Sequence, residues 1–153
     1  MRLYLDCCCY NRPFDDQSQN RIHDESAAIL SIILRCQLGH LGTILGSTIL
    51  RMEIDKISDQ VKKTRVSLLS RAVTENITYN QAILSRAKEL QHLATIHEMD
   101  SLHLASAEAG HADVFISTDD KLIKACRKIH DQLRVNVKTP LSFLAEVIEN
   151  DGY

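Results

Sequence analysis

A chain of 153 residues that is 44% hydrophobic and 25% charged, with two prolines and five glycines, has the make-up of one ordinary folded domain and not of a disordered or low-complexity segment. The lack of Trp and an aromatic share of 5% argue against a stacking platform for single-stranded nucleic acid, and a net charge of −2 does not advertise a nucleic-acid binder. The longest apolar stretch, residues 27–34 broken by Ser31, falls far short of the ~20 residues of a membrane span, and Asp6 comes too early for a signal peptide, so a cytoplasmic protein is expected.

In chain order, residues 3–7 read as a first strand and 11–20 as a polar loop carrying Arg12-Pro13 and Asp15-Asp16. A helix over 22–38 follows from Ile22, Ala28, Ile29, Ile32, Ile33 and Cys36 near helical spacing, with Gly39 and Gly42 bracketing its exit. Residues 41–45 form a short second strand. Ser47 is placed to cap a helix over 48–57, and Asp59 or Ser58 to cap the next, which carries Val61, Val66, Leu68, Leu69 and Val73. A third strand is expected at 77–79, then helices at 82–93 and 98–109, the second ending at Gly110. A strand at 113–117, a helix at 119–129 and a last strand at 134–137 complete the alternation, and Pro140 opens a closing helix over 141–148. Strands alternating with helices predict a single α/β domain over residues 1–150, with a largely parallel sheet covered on both faces, and a short tail at 151–153.

This layout brings four acids toward one place. Asp6 closes the first strand, Asp119 follows the fourth through Ser117 and Thr118, and Glu53 and Asp100 lie in or near the first turns of helices. Strands of a parallel sheet all end at one edge, so carboxylates distant in sequence can meet there. Like charges at close range raise one another's pKa, and a cation relieves that. Oxygen ligands suit Mg²⁺ or Mn²⁺, which is therefore the expected occupant.

Each acid also has a local alternative. Asp119 is placed to cap a helix, worth about 1 kcal/mol. Asp120 and Asp100 suit the positive end of a helix dipole. Glu53 could pair with Lys56 at i+3. Asp6 differs: on an apolar strand, with no helix to cap, it is costly to bury unless paired or metal-bound.

The five cysteines, Cys7, Cys8, Cys9, Cys36 and Cys126, contain no C-x-x-C pair. Neighbours on a strand point to opposite faces, so the triplet does not close round one ion, and reduced, mostly buried thiols are expected. His97, Asp100 and His103 form H-x-x-D-x-x-H, which lacks the four-residue spacing of a zinc-binding histidine pair, so one packing or hydrogen-bonded His and one solvent His are expected. With the four acids set aside the rest of the chain carries +2, and Lys121, Lys124 and Lys128 share one helical stripe beside Arg127, readable as a phosphate track or as a solvated face.

These segments carry a family resemblance. Tyr4-Leu5-Asp6 with Asn11-Arg12-Pro13-Phe14-Asp15-Asp16 resembles the opening of PIN-domain proteins, and Ser47-Thr48 with Glu53-Ile54 resembles their second acidic segment. The stretch from Met99-Asp100-Ser101 to Ala107 resembles the third, where His is common and not a ligand, and Val114-Phe115-Ile116-Ser117-Thr118-Asp119-Asp120 the fourth. The resemblance runs in order over nearly the whole chain. It implies a three-layer α/β/α sandwich and a Mg²⁺- or Mn²⁺-dependent ribonuclease. For many small bacterial members it also implies the toxin half of a VapC-like toxin–antitoxin pair, partnered by an antitoxin protein and often homodimeric. Carried over residue by residue, the site would be Asp6, Asp100 and Asp119 on metal, with Glu53 binding through water or orienting the nucleophile. Asp119 is favoured over Asp120 because Ser117 precedes it as the family's hydroxyl. Cys7 departs from the usual Ser or Thr after the first Asp.

Hydrolysis of an RNA phosphodiester without a covalent intermediate is the mechanism expected. Two other classes compete. A phosphohydrolase with an Asp nucleophile of the haloacid-dehalogenase type would want a second Asp where Cys8 stands. A PIN-like module that binds RNA or protein without catalysis would keep the fold alone.

Overall fold

The first strand, β1 (Arg2–Leu5), is the middle of the sheet, and its last three residues are buried on both faces. In this computed structural model, described over residues 1–151, it is flanked by β2 (Thr43–Ser47) and β4 (Val114–Ile116), with β3 (Glu75–Ile77) and β5 (Asn136–Lys138) at the edges. The last two positions of the expected tail lie outside the described residues. All four pairings are parallel. A parallel sheet needs a crossover after each strand, and helices supply them on both faces.

Alternation along β1 sorts the two layers. Leu3 and Leu5, with Ile44, Val114 and Ile116, face the core shared with α2 (Asn20–Gln37), α3 (Thr48–Asp55), α4 (Gln60–Leu69) and α8 (Pro140–Asn150). Tyr4, Leu45 and Phe115 face the opposite core, built with α5 (Gln81–Leu93), α6 (Glu98–Ala109) and α7 (Asp120–Lys128). The result is the three-layer α/β/α sandwich expected. Five of these helices begin at a residue whose side chain accepts from the helix's own amides: Ser47, Asp59, Asn80, Asp119 and Thr139. Pro140 fills the first position of α8.

One expected element is wrong in kind. β1 stops at Leu5, and the cysteine triplet does not extend it: Cys7–Asn11 is a helical turn, α1, followed by a 3₁₀ turn over Arg12–Phe14. Asp6 is its N-cap, accepting from the Cys7 amide at 2.7 Å, so it does have a local cap to make. The segment is too short to show a helical period, and this is why it read as more strand and then loop. The second, third and fifth strands are offset by two residues from expectation. For β2 the cause is Gly42, at φ +155°, where a Cβ would stand 2.0 Å from the Met1 carbonyl oxygen; the strand begins only beyond that close approach. Among the described residues no helix is long and apolar enough to cross a membrane.

Candidate active site

Every strand points its carboxyl end to one edge, and the pairing continues past the strands. The Asp6 amide donates to the Ile116 carbonyl at 2.9 Å, which sets Asp6 opposite Ser117. The Ser117 hydroxyl donates to Asp6 Oδ2 at 3.0 Å and accepts from the Asp119 amide at 3.1 Å. One buried hydroxyl thus ties the first acid to the backbone of the fourth.

Asp6 is 5% exposed. Burial pushes its pKa up and the Glu53 charge adds to this, against His103, the Ser117 hydroxyl and the Cys7 amide, which favour the anion. Asp100 stands in the first turn of α6, at the same edge. Burial, then the charges of Asp6 and Asp119 and that of Glu53, push it up to about 6. All four acids therefore lie in one electrostatic field.

Glu53 is held from across the sheet. His103, fully buried on α6, places Nε2 2.9 Å from Glu53 Oε1 and 4.0 Å from Asp6 Oδ1. Burial raises the Glu53 pKa, but the His103 hydrogen bond and charge outweigh it and leave the carboxyl lowered. The pairing with Lys56 considered from sequence is not the contact made; Lys56 acts on Glu53 only through space. His103 mirrors this: burial lowers its pKa, and Glu53 and Asp6 raise it overall. His97 is exposed at the N-cap of α6, so only one histidine of the H-x-x-D-x-x-H run reaches the site.

Asp120 is not part of the cluster. It is exposed, and both its oxygens take the Arg21 guanidinium, at 2.7 and 2.8 Å. Arg21 also reaches the Thr118 carbonyl and the buried Glu25, while Arg12 donates to the Thr118 hydroxyl at 2.9 Å. Two arginines thus clamp the loop that carries Asp119. Sequence reasoning missed them. The only signal was Arg12 in the Asn-Arg-Pro-Phe segment, because contacts across about a hundred residues leave no local trace.

The cysteine triplet, on a helical turn, spreads round the site. Cys8 Sγ accepts from the Thr118 amide at 3.4 Å, and Cys9 donates to the Ile116 carbonyl at 3.3 Å. Burial, then Glu53, push the Cys7 thiol far above its ordinary range. All five thiols are free. Lys121, Lys124 and Lys128 are exposed on α7.

The donors are hard oxygens, and Asp100 bears the mark of crowded like charge, so the set suits a divalent cation by its chemistry. As the side chains stand, no three His, Cys, Asp or Glu among the described residues close on one point. Asp6 is turned to the Cys7 amide and Ser117, Asp119 to the Lys121 and Leu122 amides, and Glu53 to His103.

No family's sequence profile matches the chain, and no curated protein matches it in sequence. Solved structures do match in shape. One is VapBC2 from Rickettsia felis bound to a DNA fragment from its promoter, 14% identical over 91% of this chain and 98% of the matched chain, with a TM-score of 0.58. Another is VapBC-1 from nontypeable Haemophilus influenzae, 14% identical over 92% of this chain and 99% of that one, with a TM-score of 0.59. At that identity the likeness is one of fold, and it spans nearly the full length of both partners.

Proposed function

We propose that this protein is a cytoplasmic Mg²⁺- or Mn²⁺-dependent endoribonuclease, a VapC-like PIN domain that serves as the toxin of a toxin–antitoxin pair. The observation that carries the reading is the meeting of Asp6, Glu53, Asp100 and Asp119 at the carboxyl edge of the sheet, where burial and then the charges of the other three acids raise Asp100 to about 6. The likeness to VapBC structures supports the toxin class and an antitoxin partner. The resemblance to the PIN family supports RNA as substrate and a homodimer as the assembly.

In this reading Asp6, Asp100 and Asp119 hold the cation, and Glu53 binds through water. When bound, the cation supplies an acidified water and offsets charge on the phosphate oxygens. Ser117 holds the first and fourth acids at a fixed separation, and the two-arginine clamp keeps the Asp119 loop from swinging away. Glu53, fixed by His103 and only partly exposed, orients the attacking water. The Cys7 thiol is a poor nucleophile, since burial and the neighbouring acids keep it protonated.

The direct test is incubation of the purified protein with single-stranded RNA and Mn²⁺. Cleavage should appear, stop with EDTA and be lost in Asp100→Asn. RNA left intact under every condition overturns the reading.

Asp119→Asn should cost at least 100-fold in cleavage rate, about 2.7 kcal/mol. Asp120→Asn should leave the rate within about threefold and lower the melting midpoint slightly, because it breaks only an exposed pair with Arg21. Equal losses in a side-by-side rate assay would move the fourth site to Asp120.

The RNA path has two candidates. If the stripe of Lys121, Lys124 and Lys128 tracks the strand, Lys124→Glu with Lys128→Glu should weaken binding and remove about 0.7 per lost contact from the log–log salt slope. Should binding and slope survive, the path runs instead past Lys62, Lys63 and Arg65; of these, Lys62 lines a cleft of about 650 Å³ with Cys8 and Arg12.

A second reading, a non-catalytic RNA- or protein-binding module, is favoured by one observation: the acids are engaged locally and do not close on one point. A Mn²⁺ titration separates the two. An inert module binds Mn²⁺ no better than the variant with all four acids changed to their amides.

A further inference from the structure

We infer that His103 is a positioning residue for Glu53, and that a buried hydrogen-bonded chain through Tyr4 and Ser47 sets the orientation in which it works. The inference rests on the reading of Glu53 as part of the cation site.

The chain crosses the sheet edge from β2 to α6. Ser47 Oγ accepts from the Leu50 amide at 3.0 Å, and the Tyr4 hydroxyl stands 2.6 Å from Ser47 Oγ and 2.6 Å from His103 Nδ1. His103 Nε2 stands 2.9 Å from Glu53 Oε1. Tyr4, Ser47 and His103 are all within 2% of full burial. The Tyr4 ring stacks on Phe115, with centroids 5.4 Å apart, and meets the His103 ring edge-on at 5.7 Å. Neither ring is free to turn.

The donors and acceptors leave one arrangement at Glu53. Ionised Glu53 only accepts, so Nε2 carries the proton. If the ring is neutral, Nδ1 accepts from Tyr4, Tyr4 accepts from Ser47, and every hydroxyl both donates and accepts. If the ring is charged, Nδ1 donates to Tyr4, Tyr4 donates to Ser47, and only the middle of the chain reverses. In both states Nε2–H faces Glu53. Turning the ring over would forfeit the Tyr4 and Glu53 bonds together. Glu53 projects from a helix and retains 28% side-chain exposure, so without this donor only the Cys7 thiol, a weak donor, still holds its carboxyl back from solvent.

The test uses Mn²⁺ binding, read by electron paramagnetic resonance at fixed pH, with circular dichroism to check the fold. His103→Leu should weaken Mn²⁺ binding by about tenfold, the low end for loss of a group that orients a ligand. His103→Gln, whose amide nitrogen can donate to Glu53, should recover most of that. Tyr4→Phe should lie between them. On a Glu53→Gln background, His103→Leu should add nothing. Unchanged affinity in His103→Leu, or the same loss with and without Glu53→Gln, overturns the inference. If wild type binds no Mn²⁺, the proposed function falls, and the inference is judged on the metal-free protein by nitrogen NMR of the His103 ring. There Nε2 should be protonated and its shift should move in Glu53→Gln. An unprotonated Nε2, or an unmoved shift, overturns it independently.

Discussion

Asp6→Asn should abolish RNA cleavage, by about 10³-fold or more, which is roughly 4 kcal/mol of transition-state stabilisation, while leaving the protein folded. The change is nearly isosteric. The amide oxygen can still accept from the Cys7 amide, so the cap of α1 survives. What disappears is a buried negative charge that the folded protein disfavours. The folded-state pKa of Asp6 is raised, so its ionisation costs stability as pH climbs through the folded value, and that cost is absent below the unfolded value near 3.9. The metal-free variant should therefore melt above wild type at pH 7, and the gap should close toward pH 4. Paired rate measurements and thermal melts check both halves. A variant that loses activity only because it melts lower would point to a structural role for Asp6.

Cation should stabilise the protein in a way that grows with pH. Asp6, Asp100 and His103 all have raised folded-state values, and each contributes stability present at low pH and lost as pH rises through that value. For Asp100 the loss begins above the unfolded value near 3.9 and is nearly complete once pH has passed about 6. Glu53 is lowered, so its contribution fails only at the acid end, as pH falls through its folded value. In EDTA the melting midpoint should thus decline from pH 5 to pH 8. Mn²⁺ at a hundredfold excess over its dissociation constant adds about 2.7 kcal/mol. For a domain of this size that is roughly 5–10 °C. Protons compete for the same oxygens, so the shift should be small at pH 5 and full by pH 7.5. Identical midpoints with EDTA and Mn²⁺ at pH 7.5 would remove the cation site.

Asp6 and Asp119 were legible because a parallel sheet turns strand ends and the following helix starts into one edge, and both sit at such a junction, whereas Glu53, six residues into α3, and Asp100, on a helix that follows another helix, were legible chiefly through the family resemblance. Asp119 is favoured over Asp120 in the sequence only by the family resemblance, through Ser117; the structure adds that Ser117 stands beside Asp6 and accepts from the Asp119 amide. Asp6 does cap a helix, a role hidden in the sequence because a five-residue turn shows no period to read. The partners of the acids were harder still. Tyr4 looked like an alternating core residue and His103 like a packing one, and nothing local says that they meet across 99 positions. Arg21 lies 99 positions from Asp120 and as little could be said of it. Short-range patterns reveal caps, faces and strand ends; side-chain pairs between elements follow only once the crossovers are laid down.

The central place of β1 has a consequence for synthesis on the ribosome. The strand that carries Asp6 leaves first, but its partner β4 lies 111 positions later, and the loop with Asp119 later still. At roughly 5–20 residues per second the emerging chain spends on the order of ten seconds with β1 unflanked on that side. Through that interval the first acid has neither Ser117 nor Asp119 beside it, so the four-acid cluster does not exist in a partial chain. If the protein is the toxin proposed, each copy is harmless while it is being made and becomes competent only near completion.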